Sequence, residues 1–314
     1  MLYIGVDLGG TGIKAGVVNE NGEILSKVSA PTLRERPYQE IIADIATLCK
    51  RAAEEAGLKM EDIAAIGAGV PGICKAGVIA FCTNLFWHDI PFVEEMHKYV
   101  SQPVYIDNDA TVAGYAESIA GVSAGTQSSV FLTLGTGVGG GIVLNGRPYS
   151  GAHGVGSEIG HAILKMDGEP CTCGNRGCLE RYASATAIIR EGRRALEETP
   201  DSLMMEKCGG EPEKLDAKMV IDCAKVGDPA AKCVFDAYVH AIAASIVSII
   251  NILDPEVIVL GGGVSKAGEF LLDAVRETVK PMVFMKGMPY ARIELAKLGA
   301  DAGIIGAALL GRTE

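Results

Sequence analysis

Asp7-Leu8-Gly9-Gly10-Thr11-Gly12-Ile13-Lys14, reached from the apolar strand Tyr3-Ile4-Gly5-Val6, decides how the rest of this chain is understood. The strand delivers Asp7 to its carboxyl end, where α/β proteins gather ligands. Gly9, Gly10 and Gly12 remove side chains that would hold backbone N–H groups away from a phosphate. Thr11 adds a hydroxyl donor, and Asp7 is a hard oxygen ligand suited to Mg2+, directly or through water. Ile13 to Val18 forms a second strand in this reading, and Asn21-Gly22 turns the chain into a third, Glu23 to Ser29. A Walker A loop would instead open a helix with Gly-Lys-Ser/Thr. Taken alone, the segment fits a ligand-free glycine hairpin as well as it fits a phosphate loop.

The pattern recurs. The apolar strand Val130 to Leu134 runs into Gly135-Thr136-Gly137-Val138-Gly139-Gly140-Gly141 and a further strand, Ile142 to Leu144, which turns at Asn145-Gly146. A duplicated strand, loop, strand and turn implies two similar lobes facing each other across a cleft. A third apolar strand, Val257 to Leu260, ends in Gly261-Gly262-Gly263, where a nucleoside could lie against bare backbone. One glycine loop is weak evidence, but three placed after buried strands exceed what turns alone require.

Length, charge and cysteine content bound the class. The 314 residues suffice for two domains, expected at 1–120, with 300–314 returning to the first, and at 121–299. A formal net charge of −11 opposes nucleic-acid backbones and anionic membranes, so neither is an expected partner. The chain opens on its first strand without a charged-apolar targeting signal. The apolar stretch Ala241 to Leu253 is shorter than a bilayer span and is interrupted by Ser245, Ser248 and Asn251, which suits a buried helix stopped by Asp254-Pro255. Nine cysteines without a secretory signal indicate a reducing cytoplasm.

Between these landmarks, helices are expected at 37–57, 110–120, 182–198, 216–226, 229–253 and 302–310, with strands at 63–70 and 104–106. The small-residue helix at 302–310 is expected to pack on the first lobe. Thr199 to Glu213 is polar enough to suggest a mobile surface loop.

Cys171-Thr-Cys173-Gly-Asn-Arg-Gly-Cys178 sets three thiols on a tight path permitted by Gly174 and Gly177, and His161 lies ten residues upstream as a fourth ligand. Three thiolates and an imidazole suit tetrahedral Zn2+, and a site filled by protein ligands is structural. Chemistry then requires a carboxylate that takes a proton from an acceptor hydroxyl once phosphates occupy the glycine loops. Asp109 fits, standing past a strand end, beside Asn108, at a helix start whose dipole favours an anion. Its alternative role is an N-cap, a position Asp107 or Asn108 could also fill. Glu158 and Glu180 flank the cysteine segment as acceptors for vicinal hydroxyls or as solvated charges. Asn84 could hydrogen-bond a hydroxyl, and nearby Trp87 suits a packing anchor.

Together these segments resemble the ROK family of sugar kinases and repressors in the actin/Hsp70/hexokinase superfamily. The resemblance covers nearly the whole chain: Asp7 to Lys14, Asn108-Asp109, Leu134 to Gly139, Gly156-Ser-Glu-Ile-Gly-His161, Cys171 to Glu180 and Asp254 to Gly263. It implies a two-lobed actin-like ATPase fold, also called ribonuclease H-like, with a cleft between the lobes. It implies a kinase that uses ATP and Mg2+ to phosphorylate a hexose at O6, most like the glucokinase branch through Asn84-Leu-Phe-Trp87. Asp109 would be the catalytic base, with Asn84, Asn108, Asp109, Glu158, His161 and Glu180 on the sugar. His161 would touch sugar with one ring nitrogen and Zn2+ with the other. Asp7, Gly9, Gly10, Thr11, Lys14, Gly135, Thr136, Gly137 and Gly261 to Gly263 would bind the nucleotide, and His161, Cys171, Cys173 and Cys178 the metal. Thr111 departs from the second Asn of many relatives. N-acetylmannosamine, fructose and allose kinases share the catalytic residues, and ROK repressors keep the sugar and zinc sites behind a winged-helix domain. A homodimer is expected by analogy.

Overall fold

The computed structural model describes residues 1–312; residues 313 and 314, the end of the segment expected to return to the first lobe, lie outside them. In chain order the strands and helices are β1 (Leu2–Leu8), β2 (Gly12–Asn19), β3 (Ile24–Pro31), α1 (Tyr38–Glu55), β4 (Ala65–Val70), β5 (Ile73–Lys75), β6 (Val78–Cys82), β7 (Trp87–Ile90), α2 (Phe92–Met96), β8 (Val104–Asn108) and α3 (Asp109–Ala120). There follow β9 (Ser128–Leu134), β10 (Val138–Leu144), β11 (Arg147–Pro148), α4 (Glu180–Ala183), α5 (Ala185–Glu198), α6 (Leu203–Lys207), α7 (Ala217–Lys225), α8 (Pro229–Leu253), β12 (Val257–Gly261), α9 (Glu269–Val279), β13 (Arg292–Leu295) and α10 (Ala302–Leu309).

Two compact units emerge: unit 1 holds Met1–Phe131, Gly141–Ser157 and the chain from Lys297 onward, and unit 2 holds Leu132–Gly140 and Glu158–Ala296. The repeat seen in the sequence is a repeat of topology. One sheet runs β3-β2-β1-β4-β8 and the other β11-β10-β9-β12-β13. In the first sheet, β1 pairs antiparallel with β2 and parallel with β4, and β4 pairs parallel with β8. Parallel strands buried by helices require continuous apolar runs, and β4 is buried along its whole length. A third sheet, β5-β6-β7, belongs to unit 1.

Unit 1 is built on close backbone approach. A methyl group at Gly5 would lie 1.8 Å from the Ile304 carbonyl oxygen, and one at Gly67 1.8 Å from that of Ala307, so α10 rests directly on β1 and β4. On another side of α10, a methyl at Gly306 would lie 1.7 Å from the carbonyl oxygen of Val112 in α3. The expected packing of the small-residue helix on the first lobe is therefore present, and glycine is what permits it. The return of the chain at Lys297 is fixed by Glu117, wholly buried in α3. Its Oε1 accepts the N–H groups of Lys297 (2.9 Å) and Leu298 (2.8 Å), and its Oε2 that of Val122 (2.9 Å). Three donors compensate the desolvation of a buried carboxylate.

In unit 2, α8 is long and apolar enough by length and composition to cross a membrane, yet 61% of its most apolar 18-residue window is buried, as befits a core helix. The expected helix 182–198 is broken at Ser184, whose hydroxyl caps α5 by accepting the Ala187 N–H. The expected mobile loop at 199–213 is instead structured around α6. Ser202 caps it and, with the Leu203 N–H, is held by the Asp228 carboxylate at 2.9 Å, while Met204 is fully buried.

Gly306→Ala should cost about 3 kcal/mol or more, because only backbone stands in the way of the new methyl group. Denaturant unfolding of the purified variant measures this, and a loss below about 0.5 kcal/mol would contradict the packing described.

Candidate active site and metal centre

Unit 1 carries the first glycine loop. Asp7 and Lys14 face each other in the β1–β2 register, and Lys14 Nζ donates to Asp7 Oδ2 at 3.1 Å. The Asp7 carboxyl group lies against Gly303 of α10, where a methyl group would stand 2.9 Å from its Cγ. The loop is closed by Gly9 N–H donating to the Gly12 carbonyl at 2.9 Å. Thr32 holds it from outside: its hydroxyl donates to the Gly9 carbonyl at 2.6 Å and its N–H to that of Thr11 at 3.1 Å. Thr11 is exposed. Asn84 belongs to the same neighbourhood, since its backbone carbonyl lies 3.2 Å from where a Gly10 methyl group would be. It sits in a short 3-10 turn, Thr83–Leu85, steadied by Arg34, which stacks over Phe86 and donates to the Asn84 carbonyl. Trp87 is a packing residue, 4% exposed and edge-on to Tyr38.

At the end of β8, three consecutive residues take three roles. Asn108 is the N-cap of α3, its Oδ1 accepting the N–H groups of Ala110 (2.9 Å) and Thr111 (3.3 Å) while its Nδ2 donates to the Gly72 carbonyl (3.1 Å). Asp109 is the first helical residue and is exposed, with Oδ1 accepting the Ala110 N–H at 2.8 Å. Asp107 is half-buried; burial raises its carboxyl group above the usual carboxylate range, while hydrogen bonds from the Ser150 hydroxyl and the Asn108 N–H pull it back down.

Unit 2 carries the second and third glycine loops and brings them together. Gly262 has φ +85°, and a methyl group there would stand 2.6 Å from the backbone nitrogen and oxygen of Leu134, directly before Gly135. Gly135 N–H donates to the Gly137 carbonyl (3.0 Å), and α5 anchors the loop through Ala185 N–H to Gly135 (2.8 Å) and the Thr186 hydroxyl to Thr136 (2.7 Å). Gly263 faces open space. Glu180, expected on the sugar, lies against this loop: its Oε2 accepts the Val138 N–H at 3.1 Å and fills the room a Gly137 side chain would take. The turn Ile159–His161, which follows Glu158, lies on the other side of Val138, where a Gly160 methyl group would be 2.0 Å from the Val138 carbonyl. Val138 thus joins Glu180, the 158–161 segment and the glycine loop within one unit.

His161, Cys171, Cys173 and Cys178 present ligand atoms that all lie within 4.8 Å of one another. Cys173 and Cys178 sulfurs are 3.6 Å apart, and Cys171 Sγ is 3.7 Å from His161 Nδ1. A tetrahedron with metal–sulfur bonds of about 2.3 Å has edges of about 3.8 Å, so the donor set fits a four-coordinate metal with Nδ1 turned inward. The backbone N–H of Asn175 lowers the Cys173 thiol, whereas burial pushes Cys178 up to about 12, a proton that a metal would displace. Gly177 lies against the Lys165 carbonyl, closing the knuckle.

A groove of about 1120 Å3 elsewhere in unit 2, between Glu169, Arg190 and Arg194 on one side and Cys233 and Ala241 of α8 on the other, contains none of the residues singled out by sequence. Four supporting residues escaped the sequence reading: Thr32, Arg34, Ser150 and Gly303. Each acts on a partner distant in the chain, and none carries a local motif.

A profile of the ROK family matches residues 3–314. The chain belongs to the ROK family. It is 39% identical over 308 residues to a glucokinase of Thermotoga maritima, a match spanning 97% of this chain and 95% of that protein. Among solved structures it resembles a ROK family glucokinase from Streptomyces griseus in complex with glucose and AMPPNP, at 33% identity, TM-score 0.82 and full coverage of both chains. It resembles the ROK hexokinase of Thermus thermophilus at 35% identity and TM-score 0.85, covering 98% and 97% of the two chains. The fold is accordingly the actin-like ATPase fold of ROK sugar kinases.

Elemental analysis of purified protein should find about one metal ion per chain, and Cys178→Ser should lose it and lower the thermal midpoint by several degrees. Full metal content in that variant would remove Cys178 from the ligand set.

Proposed function

We infer that this protein is an ATP-dependent glucokinase that transfers the γ-phosphoryl group to O6 of glucose. The observation that carries the reading is its 39% identity, across 97% of its length, to a glucokinase. The exposed Asp109 carboxylate, next to Asn108, which takes the capping position, would supply the chemistry this activity needs.

In this reading Asp109 accepts the O6 proton as the oxygen forms its bond to phosphorus and the bond from phosphorus to the leaving ADP oxygen breaks. Asn84, Asn108, held by the Gly72 carbonyl, Glu158, His161 and Glu180 would supply the acceptors and donors for the sugar hydroxyls. The N–H groups at Gly10 and Gly137, the Thr11 and Thr136 hydroxyls and Lys14 would offset phosphate charge, with Gly9 and Gly135 closing their loops by internal bonds, and Gly261 to Gly263 would leave room for the nucleoside. Mg2+ would be held near Asp7, whose single carboxylate suits an ion that draws its other ligands from phosphates and water, and would neutralise charge on the leaving group. Zn2+ is the metal the three thiolates and Nδ1 of His161 favour. It would be structural, fixing the tautomer and direction of a sugar-binding imidazole. Nine free cysteines support a reducing cytoplasm, and the net charge of −11 supports the exclusion of nucleic acid as a partner. A homodimer, expected from the family resemblance, is measurable by light scattering.

Coupled assay of hexose-dependent ADP release should show glucose as a good acceptor, and Asp109→Asn should reduce kcat by about 10²–10⁴-fold with the fold intact by circular dichroism. Wild-type turnover in Asp109→Asn would remove it as the base, and absence of sugar-dependent ADP release in the wild type would end the kinase reading.

A further inference from the structure

The half-buried Asp107, two residues before the base, has no part in the chemistry just described, and its side-chain partners are not local. Its Oδ1 accepts the Asn108 N–H at 2.7 Å, and both carboxylate oxygens accept from the Ser150 hydroxyl, at 2.9 and 2.8 Å. Ser150 opens the segment 150–157, the last stretch of unit 1 before the chain passes to Glu158 in unit 2.

That segment is folded back on itself. Gly156 N–H donates to the Ser150 carbonyl at 2.9 Å, and the Ser157 hydroxyl donates to the Tyr149 carbonyl at 2.7 Å. Gly151 and Gly156 are in backbone contact, and Gly154, at φ +77°, lies on the Cys74 carbonyl of β5. The loop is therefore a closed ring whose two ends meet at Ser150. Ala152, His153, Val155 and Gly156 are exposed, so no apolar burial holds the ring's outer half. Ser150 to Asp107 is the side-chain link that fastens it to the strand bearing Asn108 and Asp109. An ionised carboxylate suits this task, because it offers two acceptors to one hydroxyl and leaves a lone pair for the adjacent N–H.

We propose that Asp107 and Ser150 are a positioning pair that locks the 150–157 ring and the end of β8 together and so holds Asn108 and Asp109 in place. The proposal rests on the sugar-kinase reading for its kinetic consequence, since Asn108 and Asp109, directly after Asp107, are the residues that reading puts on the sugar. The geometric part, the fastening of the ring, stands independently of it. Loss of the pair misplaces sugar-binding groups but leaves nucleotide groups in place, so its signature is in the KM for sugar.

The test uses Ser150→Ala, Asp107→Ala, the double variant and Ser150→Thr, which keeps the hydroxyl. Ser150→Ala and Asp107→Ala are each expected to raise KM for glucose about tenfold, with kcat changed less than about threefold and KM for ATP unchanged. The double variant should be no worse than either single one, and Ser150→Thr should recover most of the loss. Hydrogen exchange at 151–157 should quicken in both single variants, while the N–H groups of Lys297 and Leu298, held by Glu117, serve as the unaltered control. Should Asp107→Ala fail to fold, Ser150→Ala and its threonine rescue still decide. Unchanged exchange at 151–157 in Ser150→Ala, an unchanged KM for glucose in an active enzyme, or additive losses in the double variant would overturn the proposal. If the wild type releases no ADP with any hexose, the kinase reading fails, and the exchange result alone judges the pair.

Discussion

Backbone against backbone is the constraint on which unit 1 depends. An α-helix normally stands off a sheet by the thickness of its side chains, but α10 lies on β1 and β4 where Gly5 and Gly67 leave nothing between. Two glycines one turn apart on that helix, Gly303 and Gly306, then touch the Asp7 carboxyl group and the Val112 carbonyl in the first turns of α3. Gly69 on β4 completes the arrangement, since a methyl group there would collide with Val112 and approach the Asp109 Cα. Asp7, at Gly303, and the Val112 turn that follows Asp109, at Gly69 and Gly306, are thus packed against glycines with no room for a methyl group. Such positions carry information about distance rather than about flexibility.

The same device operates in unit 2 with a different consequence. Gly137 makes room for the Glu180 carboxylate, Gly160 for the Val138 carbonyl and Gly262 for Leu134, so three segments far apart in the chain converge on one strand end. Because Glu180 Oε2 accepts the Val138 N–H, the carboxylate is coupled to the loop assigned to phosphate. The orientation of that carboxylate and the shape of the 135–137 loop become one structural variable. The metal knuckle adds rigidity from the opposite side, with Leu179 N–H donating to the Ala162 carbonyl at 2.8 Å just beyond His161.

What could be read from the sequence was local or repeated. The strand–loop–strand unit announces itself within about twenty residues, and its second copy predicts the matching strand orders of the two sheets. The cysteine cluster is compact enough that spacing alone brings its sulfurs together. Helix periodicity placed α8 at its observed bounds, whereas α5 came with a break at Ser184 that periodicity does not encode. The small sheet β5-β6-β7 was missed because its strands are only three to five residues long and neither Val78–Cys82 nor Trp87–Ile90 alternates regularly in burial. Segment 199–213 deceived by composition: its polar residues are caps, and Asp228, from the start of α8, is what orders it. Glu117, Thr32 and Ser150 were illegible for a common reason. Each satisfies donors or acceptors brought near only by the finished fold.

Asp107, Asn108 and Asp109 show why a motif of three polar residues cannot be assigned from type alone. All three are suited to capping a helix, and capping by Asp109 would have tied up its carboxylate as a structural acceptor. The fold gives the cap to Asn108, whose amide also reaches the Gly72 carbonyl, something a carboxylate could not do because it has no N–H to donate. It gives the link to Ser150 to the half-buried Asp107, where the hydroxyl only partly offsets desolvation. That division leaves Asp109 exposed at the first turn of α3. A phosphoryl transfer with a loose transition state asks little covalent help of the protein, so in the proposed reaction the placement of the Asp109 carboxylate at the first turn of α3, with the cap given to Asn108, is much of the task.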